Sequence, residues 1–150
     1  MGKLMKIITV IPFTFILVIS NSTFSASKEK WVWEPFVSNE TGTYYFHKEH
    51  SPKTEDGLFL SGVTVIYRQP QSLMNKNSTL VSYQSKYQTV MFDCNKKTVS
   101  TPDTIYYASS TGSGQSVGFE SIAPPEVKWI AVESDPIYRR LLEKFEGACN

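Results

Sequence analysis

Apolar and polar residues alternate along most of the chain, which is the pattern of β-strands with one buried face. The alternation is clearest over residues 58–68 and 80–88. Pro35 predicts that the first strand lies at a sheet edge or contains a bulge, and Gly62 predicts a bulge in the third strand. The predicted strands are residues 31–37, 43–47, 58–68, 80–94, 96–107, 115–121 and, briefly, 129–132.

The period of the pattern changes at the C-terminus. Ser134 or Asp135 can cap a helix, and Pro136 suits its first turn. From there to Cys149, the apolar residues fall on one arc at 100° per residue and charged residues occupy the rest. The sequence therefore predicts an α+β fold, in which a single antiparallel sheet of about six strands carries a C-terminal amphipathic helix on one face.

Residues 1–26 have the organisation of a secretory signal peptide. A basic start precedes an apolar run over 7–19, and small residues follow. Such a run spans about 20 Å as a helix, which is short of the roughly 30 Å hydrocarbon core; an uncleaved N-terminal anchor is the alternative. We expect cleavage within 22–27, which leaves residues 27–150 as one exported domain in the periplasm or on the outer cell surface. Nothing after the signal peptide is long and apolar enough to cross a membrane.

Charge and composition narrow the function classes. The chain has 15 Lys and Arg against 14 Asp and Glu, a formal net charge of +1, so no basic surface points to nucleic acid. Apolar residues make up 41% of the sequence, which is typical of a globular domain and unlike a disordered chain.

Cys94 and Cys149 are the only cysteines, and export sends both to an oxidising compartment. A disulfide between them would close a loop of about 55 residues and stabilise the fold by roughly 4 kcal/mol. A free thiol or an intermolecular bridge is the alternative. The chain has no Cys-x-x-Cys redox pair and no paired Cys and His spacing for zinc, so we expect no metal and no cofactor.

Two segments have residue types that catalytic or metal-binding motifs use, but they lack the context or the spacing of those motifs. Residues 114–118 read Gly-x-Ser-x-Gly around Ser116, but the chain then runs into Pro124-Pro125 instead of a helix, and no histidine follows. Gly112, Gly114 and Gly118 miss the Gly-x-Gly-x-x-Gly spacing of nucleotide-binding loops by one residue and lack a βαβ context. His47 and His50 are three residues apart, whereas the metalloprotease helix needs four. The sequence predicts a non-enzymatic protein without catalytic residues. No pairing typical of a glycosidase stands out among the acidic residues Glu55, Asp56, Asp93, Glu133 and Asp135.

Other features concern the surface. Asn39 and Asn77 begin N-glycosylation sequons. Lys86, Lys96 and Lys97 are expected to be solvated, with contact to an anionic partner as the alternative. Aromatic residues anchor protein interfaces, although sheet packing is expected for about two-thirds of this set: Trp31, Trp33, Tyr44, Tyr45, Tyr67, Tyr83, Tyr87, Tyr106 and Tyr107.

Several marked segments follow one another in a specific order: a Trp-led strand, Tyr44-Tyr-Phe46, Asp93-Cys94, Trp129 and a helix ending in Cys149. In this order the chain after the signal peptide resembles the bacterial surface-adhesin protein E-like family. The resemblance implies a six-stranded antiparallel sheet with a C-terminal helix tethered by the disulfide. It also implies binding to host extracellular-matrix or plasma proteins, and it allows a homodimer formed through the sheet.

The first hypothesis is therefore a non-enzymatic, adhesin-like binding module of the bacterial envelope with a protein partner. A periplasmic structural or assembly factor of unknown partner is one alternative. An inhibitor of a secreted hydrolase such as lysozyme is another, although Ser61-Gly-Val-Thr-Val65 lacks the tyrosine of the SGxxY inhibitor motif. No lipidation site that would hold an adhesin at the surface is found, and no residue matches a host-binding motif.

Overall fold

A computed structural model describes residues 33–49, 51–145 and 147–149. The predicted signal peptide, its cleavage region, Trp31 and His50 lie outside these ranges. Single 3-10 turns at Pro124–Glu126 and Val132–Ser134 follow the sixth strand and precede the helix. The strands are β1 (Trp33–Ser38), β2 (Gly42–His47), β3 (Leu58–Met74), β4 (Leu80–Asp93), β5 (Thr98–Tyr107), β6 (Ser116–Ser121) and β7 (Ile130–Ala131), and the helix is α1 (Pro136–Lys144).

The strands form one antiparallel sheet in the order β1-β2-β3-β4-β5-β6, and the two-residue β7 also pairs with β5. Each neighbour in this order is the next strand in sequence, so hairpins make all of the connections. The predicted α+β fold, with its antiparallel sheet of six strands and its C-terminal helix, is confirmed.

Pro35 lies where the sequence predicts it. It belongs to β1, the outer strand of the sheet, and the pairing with β2 shifts register between Pro35 and Val37. A proline has no backbone N–H, so the edge and the bulge are the positions that a sheet tolerates.

The prediction of a bulge at Gly62 is wrong. Gly62 pairs regularly with Thr89, and the irregularity in this strand lies further on, between Ile66 and Gln71. The glycine instead makes room for an aromatic ring, because a methyl group there would come within 2.9 Å of the Tyr87 side chain.

The bulge bends the long β3–β4 hairpin over the sheet. The sequence predicts that β3 ends at Arg68, but beyond the bulge the strand runs on to Met74. Past the bend, the Leu73 side chain lies against Gly118 of β6, two strands away from β4. The folded-over end of the hairpin therefore covers part of the sheet face that also carries α1.

The core lies between the sheet and α1. Asp135 begins the helix by accepting the N–H groups of Ile137 at 2.8 Å and Tyr138 at 3.4 Å. The buried apolar side chains are Phe46, Phe59, Val63, Val65, Val90, Phe92, Val99, Val132, Leu141 and Phe145.

A disulfide joins Cys94, directly after β4, to Cys149 near the chain end, as predicted. The helix is shorter than its apolar spacing suggests, because it ends at Lys144 instead of Cys149. Gly147 has a φ of +86°, a left-handed conformation that glycine adopts without strain, and it turns the chain toward Cys94. Cys149 therefore reaches the sheet from a turn, with its Cα 5.0 Å from that of Cys94.

Candidate interaction surfaces

The sheet face opposite α1, here called the helix-free face, carries a row of side chains of which all but Thr64 are large and apolar or aromatic. Strand register places one residue from each of β2 to β6 side by side along this row. Its end at β6 is open, since Phe119 is 55% exposed. The row is Tyr45, Thr64, Tyr87, Ile105 and Phe119.

The loop over residues 109–114 closes the middle of the helix-free face. The Gly112 N–H donates to Ser85 Oγ at 3.1 Å, and the Ser85 hydroxyl donates to the Ser109 carbonyl at 2.5 Å. Thr64 and Ser85 are buried beneath this loop. The loop divides the helix-free face and leaves its aromatic side chains toward the two edges.

One of these edges holds an aromatic corner, formed by Trp33, His47 and Tyr87. The Trp33 ring packs edge-on against His47 at 5.5 Å and against Tyr87 at 6.1 Å, measured between ring centroids. A shallow cavity of about 390 Å³ lies beside this corner and includes Leu60, which is 42% exposed. Aromatic rings around a partly apolar depression are the composition of a protein-binding surface.

The helix-bearing face holds a cluster of three tyrosines, Tyr67, Tyr83 and Tyr106. Tyr83 packs edge-on against Tyr67 at 5.5 Å and against Tyr106 at 4.8 Å. The Tyr106 hydroxyl donates to Glu120 at 2.8 Å. Burial raises the pKa of Tyr67 and of Tyr106 above the usual value for tyrosine. The cluster fixes the bent hairpin on the sheet.

Lys86 lies next to these tyrosines, opposite Tyr106 in the register, and is not the solvated lysine that the sequence predicts. Burial lowers the pKa of Lys86, and Glu120 acts in the opposite direction. Lys96 and Lys97 lie in the turn after β4, at the far end of that strand, so the three lysines form no common patch.

A second cavity of about 390 Å³, here called the hairpin cavity, lies between the tip of the β3–β4 hairpin and β6. Met74 and Phe119 are 62% and 55% exposed at its border. The side chains and backbone that line it belong to Leu73, Met74, Asn75, Lys76, Asn77, Gly118, Phe119 and Glu120. The sequence does not reveal this cavity, because it depends on the bend in the hairpin.

Within the ranges that the structure describes, Ser116 of the apparent nucleophile motif lies far from the histidine His47. Ser116 begins β6 and His47 ends β2, and four strand spacings separate these strands, or about 19 Å at about 4.8 Å each. Across the ranges that the structure describes, no three His, Cys, Asp or Glu side chains are placed to hold a metal ion.

The acidic residues considered for a paired site have separate structural partners. Asp93 pairs with Lys96 at 3.1 Å, Glu133 with Arg139 at 3.9 Å, and Asp135 caps α1. Glu55 and Asp56 are exposed in the connection between β2 and β3.

Both sequons lie on hairpin turns. Asn39 is exposed between β1 and β2, where its side-chain oxygen accepts the N–H groups of Thr41 and Gly42. Asn77 is exposed at the tip of the β3–β4 hairpin. Both sites are accessible, and their use stays a prediction.

Ser61–Val65, the segment compared with the lysozyme-inhibitor motif, lies in the middle of β3, and all five of its residues are buried. A segment held in the centre of a sheet is not presented for insertion into an enzyme's active site.

The sequence profile of the surface-adhesin protein E family matches residues 33–150. No protein of curated function and no solved structure matches the chain. Among the described residues, no helix has the length and apolar character needed to cross a bilayer. The family is described as an adhesin, which implies a non-enzymatic protein. From β1 to its last residues, this chain belongs to the surface-adhesin protein E family.

Proposed function

We propose that the chain is an exported, non-enzymatic binding module of the bacterial envelope that adheres to host extracellular-matrix or plasma proteins. The observation that carries this proposal is the family match over residues 33–150. A signal-peptide pattern at residues 1–26 supports export, and so does the Cys94–Cys149 disulfide, because such bonds persist in oxidising compartments. Residues 27–150 would form the mature domain after cleavage within 22–27.

The helix-free face is the surface that we propose for contact with the host protein. It offers the aromatic corner at one edge and Phe119 at the other, and neither lies under α1. The proposal also includes a homodimer formed through the sheet. Sedimentation velocity of the mature domain measures that state directly, and a strictly monomeric species at micromolar concentration would remove this part of the proposal.

Surface exposure is the first test. Intact cells are labelled with an antibody to the mature domain, beside a lysed sample as the control for total protein. Signal on intact cells is the expected result. Signal only after lysis contradicts the adhesin proposal and favours a periplasmic structural or assembly factor.

A binding panel then tests the partner class. Purified mature domain is measured by surface plasmon resonance against matrix and plasma proteins, and the reduced domain serves as a control for correctly folded protein. Saturable binding to at least one of these proteins is expected. The same material is assayed for lysozyme inhibition, and inhibition without matrix binding would replace the adhesin proposal with the inhibitor.

A further inference from the structure

The outer side of β6 is an unpaired sheet edge. The Ile122 N–H donates to the Pro102 carbonyl at 2.9 Å, which fixes the alternation along the β5–β6 pair. In an antiparallel pair, successive residues point their backbone groups alternately toward and away from the neighbouring strand. Since Ile122 points toward β5, the N–H and C=O groups of Phe119 and Ser121 point away from it. Within the described part of the chain, no segment pairs with this outer side of β6.

The opposite edge of the sheet is protected, whereas this one is open. In β1, Pro35 removes a backbone donor, the register shift distorts the strand, and Glu34 pairs with Lys48 at 2.8 Å. These are the features by which edge strands avoid pairing with other chains. The irregularity in β6 lies at its start, so the run Gly118–Ser121 is regular and contains neither proline nor lysine.

The hairpin cavity lies directly beside this open edge. Gly118 and Glu120 of β6 form one wall of the cavity, and Leu73 and Met74 of the hairpin form the other. A strand added to β6 would place every second side chain on the helix-bearing face, next to Gly118 and Glu120 and under the hairpin tip. Backbone groups and a side-chain pocket would then be available to the same segment, which is how sheet-edge recognition combines affinity with selectivity.

We propose that β6 accepts an extended segment of a protein partner as an additional strand, with an apolar side chain of that segment held in the hairpin cavity. This inference rests on the proposed protein-binding function and specifies one way in which a partner is held. Glu120, on the β6 wall of the cavity, favours a basic side chain two residues from the apolar one, whereas Lys76 of the hairpin disfavours a basic side chain under the hairpin tip.

A second copy of this chain fits the edge poorly. If two β6 strands paired, each would present its own Gly118 and Glu120 to the partner's cavity, because these residues point to the helix-bearing face. Gly118 has no side chain and Glu120 is charged, so neither fills the apolar part of the cavity, which Leu73 and Met74 border. A heterologous segment with an aliphatic side chain matches the site better.

The probe is a series of seven-residue peptides with blocked ends, of the form threonine-lysine-threonine-X-threonine-lysine-threonine. The series varies X through glycine, valine, leucine, methionine, phenylalanine and aspartate. Fluorescence anisotropy with the mature domain should show the leucine or methionine peptide binding at least tenfold more tightly than the glycine and aspartate peptides. N-methylation of the two threonines on either side of X should abolish that binding, because their N–H groups, and not that of X, face the β6 edge. Equal binding of all members, or no binding by any, overturns the proposal.

Protein variants locate the binding. Met74→Gln should weaken the leucine peptide at least fivefold, whereas Leu80→Gln should leave it within twofold. Leu80 is the matched control, because it pairs with Met74 across the hairpin and is 65% exposed but does not line the cavity. Ser121→Pro removes an outward N–H and should weaken binding at least tenfold, but it also removes the 2.6 Å hydrogen bond from the Ser121 hydroxyl to Asp103 of β5. Ser121→Ala is its control, because it loses the Asp103 bond and keeps the N–H, and it should leave binding within twofold. Equal losses in the Met74 and Leu80 variants would place the peptide outside the cavity and overturn the proposal.

Hydrogen exchange distinguishes a peptide bound at the β6 edge from a second copy of the chain bound there. Saturating leucine peptide should slow exchange of the Phe119 and Ser121 amides at least tenfold. Protection that rises with protein concentration in the absence of peptide would assign the edge to a second copy and overturn the proposal.

The peptide series does not depend on adhesion. If cells lack surface signal but the peptides bind, the proposed function fails alone; if matrix proteins bind but the peptides do not, only the β6 site fails.

Discussion

Gly112 lies directly against Thr64, and this contact closes the 109–114 loop over the helix-free face. A methyl group at Gly112 would come within 2.5 Å of Thr64 Cγ2, and the φ of Gly112 is +70°. The glycine N–H also donates to the buried Ser85 hydroxyl. Backbone conformation and close packing both require glycine at this position.

Gly112→Ala should therefore lower the free energy of unfolding by about 2–3 kcal/mol, the sum of left-handed strain and steric overlap. Gly114→Ala is the matched control, because Gly114 has a φ of +98° but its nearest neighbour, Ser109 Oγ, is 3.7 Å from an added methyl group. Gly114→Ala should lower the free energy of unfolding by about 1 kcal/mol, from backbone strain alone. Urea denaturation measures both variants, and equal losses would show that the Thr64 contact contributes nothing.

Loss of the disulfide should destabilise the fold without removing α1. We expect the double variant Cys94→Ser, Cys149→Ser to be about 2–4 kcal/mol less stable than the oxidised protein, since the unfolded chain regains the freedom of a long loop. Leu141 and Phe145 still pack in the core, so the helical circular dichroism should persist at low temperature.

Reduced wild-type protein is the control for the serine side chains in that experiment. Its thermal midpoint should match that of the double variant, and the reductant should not change the midpoint of the double variant. A double variant as stable as the oxidised protein would contradict this role of the bond.

Local signals in the sequence explain the parts of the fold that could be predicted. Alternation identifies strands because a sheet buries every second side chain, and Pro35 identifies an edge because it lacks an N–H. Asp135 followed by Pro136 marks a helix start for equally local reasons. An internal disulfide between Cys94 and Cys149 could be expected because they are the only two cysteines in the sequence and the pattern of residues 1–26 predicts export to an oxidising compartment.

The bend in the β3–β4 hairpin could not be predicted in this way. The polar segment around Pro70 indicates the end of a strand, whereas the strand resumes after the bulge as far as Met74. Alternation also places Tyr83 and Tyr87 on the same face. In the structure Tyr83 packs against Tyr106 and Tyr87 packs against Trp33, on opposite faces. The hairpin cavity depends on this bend, and the aromatic corner depends on the face that Tyr87 takes. Neither site therefore follows from the periodicity alone.

The β4–β5 turn contains a strained residue that can be relieved. Lys97 has a φ of +53°, a left-handed conformation that costs a residue with a Cβ about 1–2 kcal/mol. Lys97→Gly should raise the free energy of unfolding by about 0.5–1 kcal/mol, because part of the gain is offset by the greater freedom of glycine in the unfolded chain. Lys97→Ala is the control, since it removes the same charge but keeps the Cβ. A gain in both variants would assign the effect to the lysine side chain.

Asp93, at the end of β4, should make stability depend on pH in acid. Its buried carboxylate accepts the Lys96 N–H at 3.0 Å and pairs with the Lys96 ammonium at 3.1 Å. The backbone hydrogen bond from Lys96 is the largest single cause that holds the pKa of Asp93 below its usual value; the Lys96 ammonium acts in the same direction, and burial acts in the opposite one. The folded protein therefore binds this proton more weakly than the unfolded chain.

The resulting stabilisation is fully present above the unfolded pKa of about 3.9 and is lost as the pH falls through the lower folded value. Asp93→Asn should lower the thermal midpoint at pH 6, and it should narrow the difference between the midpoints at pH 6 and pH 3 compared with the wild type. Asp56→Asn is the matched control, because it makes the same change of charge at an exposed residue and should keep the wild-type difference. Calorimetry across this range measures all three proteins. If the thermal midpoints of Asp93→Asn and the wild type fall in parallel as the pH is lowered, another carboxylate controls the acid transition.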